Sequence, residues 1–348
     1  MAFRSKFIAV GGLCVVALAA TPCHDSVACG AFFTASLNAP IRPSLAYEQV
    51  LLVHDDKLGR EHFIREVTFD RANESFGFVV PTPTRPEVAS VAASPFATLR
   101  SKFPFVDPLA QPPRGGGGGT GDGFGVGHGR GVTVLEEARI GSFNAFVLAA
   151  DDPTALAGWL AQHKLTTTHE AEPWLAHYVK MKFFYVAMKY DPTLADFGAD
   201  ARRKLQMETV RISFDTPIPF YPYFEPDPKP GASTMPLRLL DLWVIARSAV
   251  VPVSVLTEGS TRSWVRPMRS SRPSAPAPFP VGILDESVQK LIPTGPVVVQ
   301  PFQDQKVSRV GFGDVLFAAS APLDPNERAA QVEKLKPLLG VLDPELVR

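Results

Sequence analysis

Two histidines, His54 and His62, flank a segment containing Asp55, Asp56 and Glu61. Imidazole and carboxylate together suit Zn²⁺ or another transition metal. If the residues between them turn the chain, paired strands would bring the two rings near each other. A metal site on His54 and His62 is therefore one expectation, set against a solvated turn with polar ends, because turns favour Asp. No third histidine lies at a standard ligand spacing. His169 and His177 do not form an H-E-x-x-H pair, and His177 falls on an apolar stripe that suits a hydrogen-bonded core histidine. Gly116, Gly118 and Gly121 spell G-x-G-x-x-G, but the phosphate-binding form needs a strand before it and a helix after it. Here Pro112-Pro113-Arg114 precedes and more glycine follows, so no nucleotide and no other cofactor is implied. No G-x-S-x-G elbow occurs. The acid pairs Asp55-Asp56, Glu136-Glu137 and Asp151-Asp152 read as a turn, an exposed edge and a helix cap. A glycosidase pair would need carboxyl groups fixed about 5–10 Å apart, which adjacency does not establish. The run Phe220-Tyr221-Pro222-Tyr223-Phe224-Glu225-Pro226 offers Tyr221 and Tyr223 as rigid amphipathic recognition groups. Its alternative is a strand-ending loop packed on the core.

Such groups act only where the chain delivers them. Arg4 and Lys6 precede the 14 uncharged residues from Phe7 to Ala20, the layout of a secretory signal. At about 1.5 Å per residue that run is too short to cross a hydrocarbon core of roughly 30 Å. Small residues allow cleavage after Ala19 or Ala28, and the latter would leave residues 29–348 with Cys29 at the new N-terminus. Cys29 is then a candidate for lipidation, although Ser26 stands where a bulky aliphatic is usual. It lacks a local basic cluster to activate its thiol. The full chain has 35 basic and 35 acidic residues; losing Arg4, Lys6 and Asp25 leaves 33 and 34, a net charge of −1. With no basic excess to neutralise phosphates, nucleic acid is not an expected partner. No later run reaches 18 apolar residues, so no membrane span is expected in the mature chain.

Apolar and branched residues at Tyr47–His54, the turn residues Asp55–Gly59 and alternation over His62–Phe69 predict an antiparallel hairpin. A third strand, Phe76–Val80, should end or lie at an edge, because Pro81 and Pro83 cannot donate to a ladder. Eleven of the eighteen residues from Arg114 to Gly131 are glycine, which predicts a mobile loop over 111–131. Further strands are expected at Asn144–Leu148, Phe183–Met188, Met207–Phe214, Leu240–Ala246 and Val310–Phe317. Asp151-Asp152-Pro153 predicts a helix start, with Leu156, Trp159 and Leu160 on one face. A second helix is expected from about Glu172, and a C-terminal helix from about Pro325. Five prolines between Pro267 and Pro280 predict a stiff connector over 266–280.

Several of these segments together resemble one family. They are Ala28-Cys29-Gly30-Ala31-Phe32-Phe33, Val50–Val53, Phe76-Gly-Phe-Val-Val-Pro-Thr-Pro83 with Pro86-Glu87-Val88, Ile140-Gly141-Ser-Phe143, Asp151–Pro153 with Trp159-Leu160, and Tyr178-Val179 leading into Phe183–Lys189. The likeness is to the exported bacterial proteins grouped as DUF2330, and it runs from about Cys29 to about residue 250. It implies a bacterial envelope protein and supplies no activity or catalytic residues. Relatives often carry a further cysteine after the Cys-Gly pair, where this chain has Ala31, Phe32 and Phe33.

The sequence thus predicts an exported α+β chain with an antiparallel β-rich core, two helices in mid-chain and a helix at its end. Residues 1–28 are the expected signal, 29–265 a single domain, and 281–348 a smaller extension beyond the connector. The expected function is non-catalytic binding or structural support in the envelope, with an envelope protein as partner. The rival is an envelope hydrolase whose catalytic residues are scattered in sequence.

Overall fold

The computed structural model describes residues 31–34, 44–70, 75–105, 132–167, 171–192, 204–226, 239–256, 268–304, 313–320 and 341–342. The expected signal, Cys29, the glycine-rich stretch and the expected C-terminal helix lie outside the described residues.

A short strand β1 (Ala31–Thr34) precedes the long hairpin of β2 (Ser44–Asp55) and β3 (Arg60–Asp70). Asp55 Oδ1 accepts from the backbone N–H groups of Lys57 and Leu58 at 3.0 and 3.4 Å, which closes the hairpin turn. Then follow β4 (Phe76–Thr82), β5 (Glu87–Ser90), α1 (Phe96–Lys102), β6 (Val132–Ile140) and β7 (Phe143–Ala150). The helices α2 (Pro153–Gln162) and α3 (Glu172–Lys180) lead to β8 (Phe184–Tyr190), β9 (Lys204–Gln206), β10 (Val210–Asp215) and β11 (Phe220–Tyr221). The remainder comprises β12 (Leu239–Ala246), β13 (Val250–Leu256), β14 (Arg269–Ser270), β15 (Ala277–Pro278), α4 (Glu286–Gln289), β16 (Pro296–Asp304), β17 (Val315–Ala319) and β18 (Val341–Leu342). At the start of α2 the Asp152 carboxylate accepts from Thr154 N and Ala155 N, with Pro153 as the first helical residue. That arrangement satisfies amides no helix can satisfy internally.

The strands form three sheets. One runs β1-β4-β8-β7-β6, the central one β14-β16-β12-β2-β3-β10-β5 with β9 and β15 attached, and the third β11-β17-β13-β18. The described chain is rich in strand with few helices, and its central sheet is mixed rather than wholly antiparallel, because β12 pairs with β2 in parallel. A long excursion separates those two strands, so no hairpin constrains their direction.

One face of the central sheet packs into the main core: Val50, Leu52 and Phe63 meet Phe76, Phe78, Val253 and Phe317. The other face is covered in part by α1 and α4, where Leu51, Val53, Ile64 and Trp243 meet Phe96, Leu99 and Val288. Burial on both faces explains why Val50–Val53 is continuously apolar rather than alternating. β4 is likewise buried along its whole length. It continues through Pro81, past the expected stop. Among the described residues Pro81 has a ladder neighbour in β8 alone, opposite Tyr185.

The division expected near residue 265 is not a break in the fold. β16 pairs with β12 from Leu240 to Ala246, and β17 pairs with both β13 and β11. The proline-rich stretch lies along β16, with Ser271 N donating to Pro301 O and Ser274 N to Val299 O, both at 2.9 Å. It behaves as an edge strand interrupted wherever proline withholds a donor.

Two glycines have steric reasons. Gly141 turns β6 into β7 with φ +55°. A Cβ on Gly77 would stand 2.5 Å from the Met188 carbonyl oxygen and 2.7 Å from Leu165 Cδ2. Gly77→Ala must therefore push β4 away from β8, at a cost of about 1–3 kcal/mol. Urea unfolding should show a lower midpoint with an unchanged slope; an alanine variant as stable as the parent would contradict this close approach.

Candidate functional site

The hairpin register separates the two histidines. Val53 lies opposite His62 and His54 opposite Glu61, so His54 and His62 project from opposite faces of the sheet. His54 is buried, its Nε2 is 3.0 Å from Thr216 O, and burial lowers its pKa. His62 instead places Nδ1 2.8 Å from Ser213 Oγ on the neighbouring strand β10. The shared metal site expected of His54 and His62 is thus corrected: strand alternation divides its two ligands. Among the described residues, no three His, Cys, Asp or Glu side chains gather as metal ligands.

Tyr221 and Tyr223 are also not an exposed patch. Both are fully buried, with the Tyr221 ring stacked 6.0 Å from Phe63 and the Tyr223 hydroxyl donating to Asp304 Oδ2 at 2.7 Å. Pro219 and Pro222 limit regular pairing here to Phe220–Tyr221, and further backbone donors of the run find buried carboxylates. Phe220 N donates to Glu61 Oε2 at 2.6 Å, and Phe224 N donates to Asp314 Oδ1 at 3.0 Å. Burial holds the Glu61 carboxyl well above the usual carboxylate range. On the same inner face, Arg65 and Glu48 are both fully buried, with Nε and Oε1 2.8 Å apart. The guanidinium carbon lies 4.6 Å from the Phe78 ring centroid. These groups fasten the interior together.

The outer face of the same sheet carries a polar row. Gln303 of β16, Asp241 of β12, Gln49 of β2 and Glu66 of β3 are successive cross-strand neighbours. Gln303 Nε2 donates to Asp241 Oδ1 at 2.9 Å, and Gln49 Nε2 donates to Glu66 Oε1 at 3.0 Å. Gln206 and Thr209 add donors to Glu66 at 2.7 and 2.8 Å. Tyr47 donates its hydroxyl to Asp241 Oδ2, and burial, then Asp241, raises its pKa while Arg100 of α1 opposes the shift. Gln49 and Glu66 are buried, whereas Tyr47, Asp241 and Gln303 are partly exposed and Gln206 is exposed. Acids and amides thus alternate across four strands, with an aromatic hydroxyl at the margin.

Residues 24–259 match the family model described as an uncharacterized protein conserved in bacteria, DUF2330. The chain belongs to the DUF2330 family. No curated protein matches it. Among solved structures, the crystal structure of baculovirus P35 aligns at 8% identity with a TM-score of 0.40, covering 81% of this chain and 99% of that chain. No helix among the described residues is long and apolar enough to cross a membrane.

Three residues of the matched range stand at structural points: Gly77 lies in β4, Gly141 in the β6–β7 turn and Asp152 at the cap of α2. The outer row of this DUF2330 member has no local signature, because Tyr47 and Asp241 are 194 residues apart and Gln206 and Glu66 are 140 apart. Ser213, 151 residues from His62, is equally silent in sequence. Since Tyr221 and Tyr223 are core residues, replacing either by Ala should cost about 3–5 kcal/mol, the range for a buried aromatic truncated to alanine. Thermal unfolding checks this, and a Tyr221→Ala or Tyr223→Ala protein with unchanged Tm would return the run to the surface.

Proposed function

We propose that this DUF2330 member is an exported, non-catalytic binding protein of the bacterial envelope. The observation that carries the reading is the outer row Gln303–Asp241–Gln49–Glu66 with Tyr47 beside it. Preorganised carboxylates and amides on a rigid sheet suit a neutral, hydroxyl-rich ligand, since their orientation is fixed before binding. Export is supported by Arg4 and Lys6 ahead of the uncharged Phe7–Ala20 run. Solubilised envelope glycan titrated calorimetrically into the full chain should release or absorb heat saturably. Asp241→Asn should weaken binding by about tenfold, the loss of one charge-assisted hydrogen bond. Saturable binding unaffected by Asp241→Asn moves the site elsewhere, and no heat with any glycan fraction defeats this reading.

A second reading, an envelope hydrolase, is favoured by one contact, the 2.8 Å approach of His62 Nδ1 to Ser213 Oγ. Nucleophile and base are then within transfer distance. Against this, burial, with help from Arg211 and Arg60, pulls the His62 pKa down to about 4, which makes a weak base at neutral pH. Ser213 also lies between His62 and Glu87 in the strand register, so the carboxylate adjoins the serine rather than orienting the imidazole. A fluorophosphonate probe should leave Ser213 unlabelled on this account. Labelling that disappears in Ser213→Ala would establish the hydrolase instead.

A further inference from the structure

Asp314, immediately before β17, is the meeting point of three parts of the chain. Its two oxygens are each 2.9 Å from the Tyr178 hydroxyl of α3, and Oδ1 also accepts from Phe224 N. Tyr223 N is a further backbone donor to the same carboxyl. α3 has a second polar tie to this segment, from Trp174 Nε1 to Phe224 O at 2.9 Å. Around these bonds the rings of Tyr178 and His177 lie 6.1 and 5.5 Å from Phe224. One tie is between groups that do not titrate near neutrality, and the other depends on a buried carboxyl.

Among the described residues, the titratable group bonded to Asp314 is Tyr178 of α3, while Tyr223 of the Phe220–Phe224 segment offers it only a backbone N–H. Asp304 of β16 reaches this segment through the Tyr223 hydroxyl, and His177 adjoins Tyr178 on α3. Glu225, also buried, follows Phe224 in the chain. At the far end, Glu61 holds Phe220 N, and the buried Arg65 is engaged with Glu48. Lys180 of α3 is exposed. Among the described residues, the groups bonded to Asp314 are the neutral Tyr178 hydroxyl and the Phe224 and Tyr223 N–H groups, which supply no positive charge to compensate its ionisation.

We infer that Asp314 and Tyr178 form a proton-operated latch that holds α3 against the Phe220–Phe224 segment, closed when the carboxyl carries its proton and loosened when it ionises. The inference stands apart from whatever the outer sheet face binds. The Tyr178 hydroxyl can either donate to the carboxylate or accept from the carboxylic acid, so both states keep a partner and the change is a graded loosening. Burial lifts the carboxyl to about 7, opposed by the Phe224 N–H, the Tyr178 hydroxyl and the Tyr223 N–H. The docked form consequently retains a proton that the open form releases between the ordinary carboxylate range and about pH 7. Protection is whole at acid pH and is lost as pH rises toward 7.

Hydrogen exchange on the full chain, corrected for intrinsic rates, tests this between pH 5 and 8. Protection of the α3 and Phe220–Phe224 amides should fall by up to roughly tenfold per pH unit between 5 and 7, then level off. Asp314→Asn, which mimics the protonated acid, should hold protection constant across the range. Tyr178→Phe removes a donor that favours the ionised form, so it should move the midpoint upward. His177→Gln should leave the wild-type profile in place. The latch is overturned if wild-type protection does not change between pH 5 and 8. It is equally overturned if Asp314→Asn keeps the wild-type slope, or if His177→Gln abolishes it.

Discussion

The central constraint on this protein is that its β2–β3 hairpin is covered on both faces. Leu51, Val53 and Ile64 face α1 and α4, while Val50, Leu52 and Phe63 face the other two sheets. A sheet in that position cannot leave a polar side chain unattended, because water reaches little of either side. The hairpin nonetheless carries Glu48, His54, Glu61, Arg65 and Glu66, all buried. Their bonds therefore decide much of the remaining architecture. Arg65 reaches Glu48 within the hairpin, Glu61 reaches out to Phe220, and Glu66 draws in Gln206 and Thr209.

The same requirement explains the Tyr/Pro run. Between Pro219 and Pro222 only Phe220–Tyr221 pair along a ladder, with β17, yet the segment lies in the core. Glu61 of β3, Asp304 of β16 and Asp314 before β17 receive its backbone and tyrosyl donors. The carboxylates take up donors that the short pairing with β17 leaves over. Aromatic contacts then fill the space, with Tyr221 on Phe63 and Phe220 against Phe183 and Phe214. Buried acids here are chiefly the consequence of proline in an interior segment.

Sequence carried the local parts of this fold well. The β2–β3 turn was readable from Asp55–Gly59, and the helix at Pro153 from Asp152, because both are set by short-range hydrogen bonds. What escaped was non-local. For Tyr221 and Tyr223 the sequence leaves a recognition patch and a loop packed on the core both open, because nothing nearby reveals that β17, β3 and β16 close over them. His54 and His62 looked like joint ligands because their separation suggests proximity. One residue of register puts them on opposite faces. The proline-rich stretch looked like a boundary, since its composition reports stiffness and missing donors but not what it lies against.

The two faces of the sheet use acids in opposite ways, and the contrast bears on which face meets a ligand. On the inner side Glu61 and Asp314 sit where burial favours their neutral forms, and each serves a backbone donor. On the outer side Asp241 is partly exposed, and its partners are side chains, the Tyr47 hydroxyl and the Gln303 amide, which can rotate toward an incoming group. A backbone donor released from its acceptor inside the core loses about 1–3 kcal/mol with nothing to replace it. A glutamine or tyrosine at the surface exchanges one partner for another, or for water, at much smaller cost. The proposed recognition is therefore assigned to the outer row, whose partners can be exchanged at lower cost than those of the inner acids.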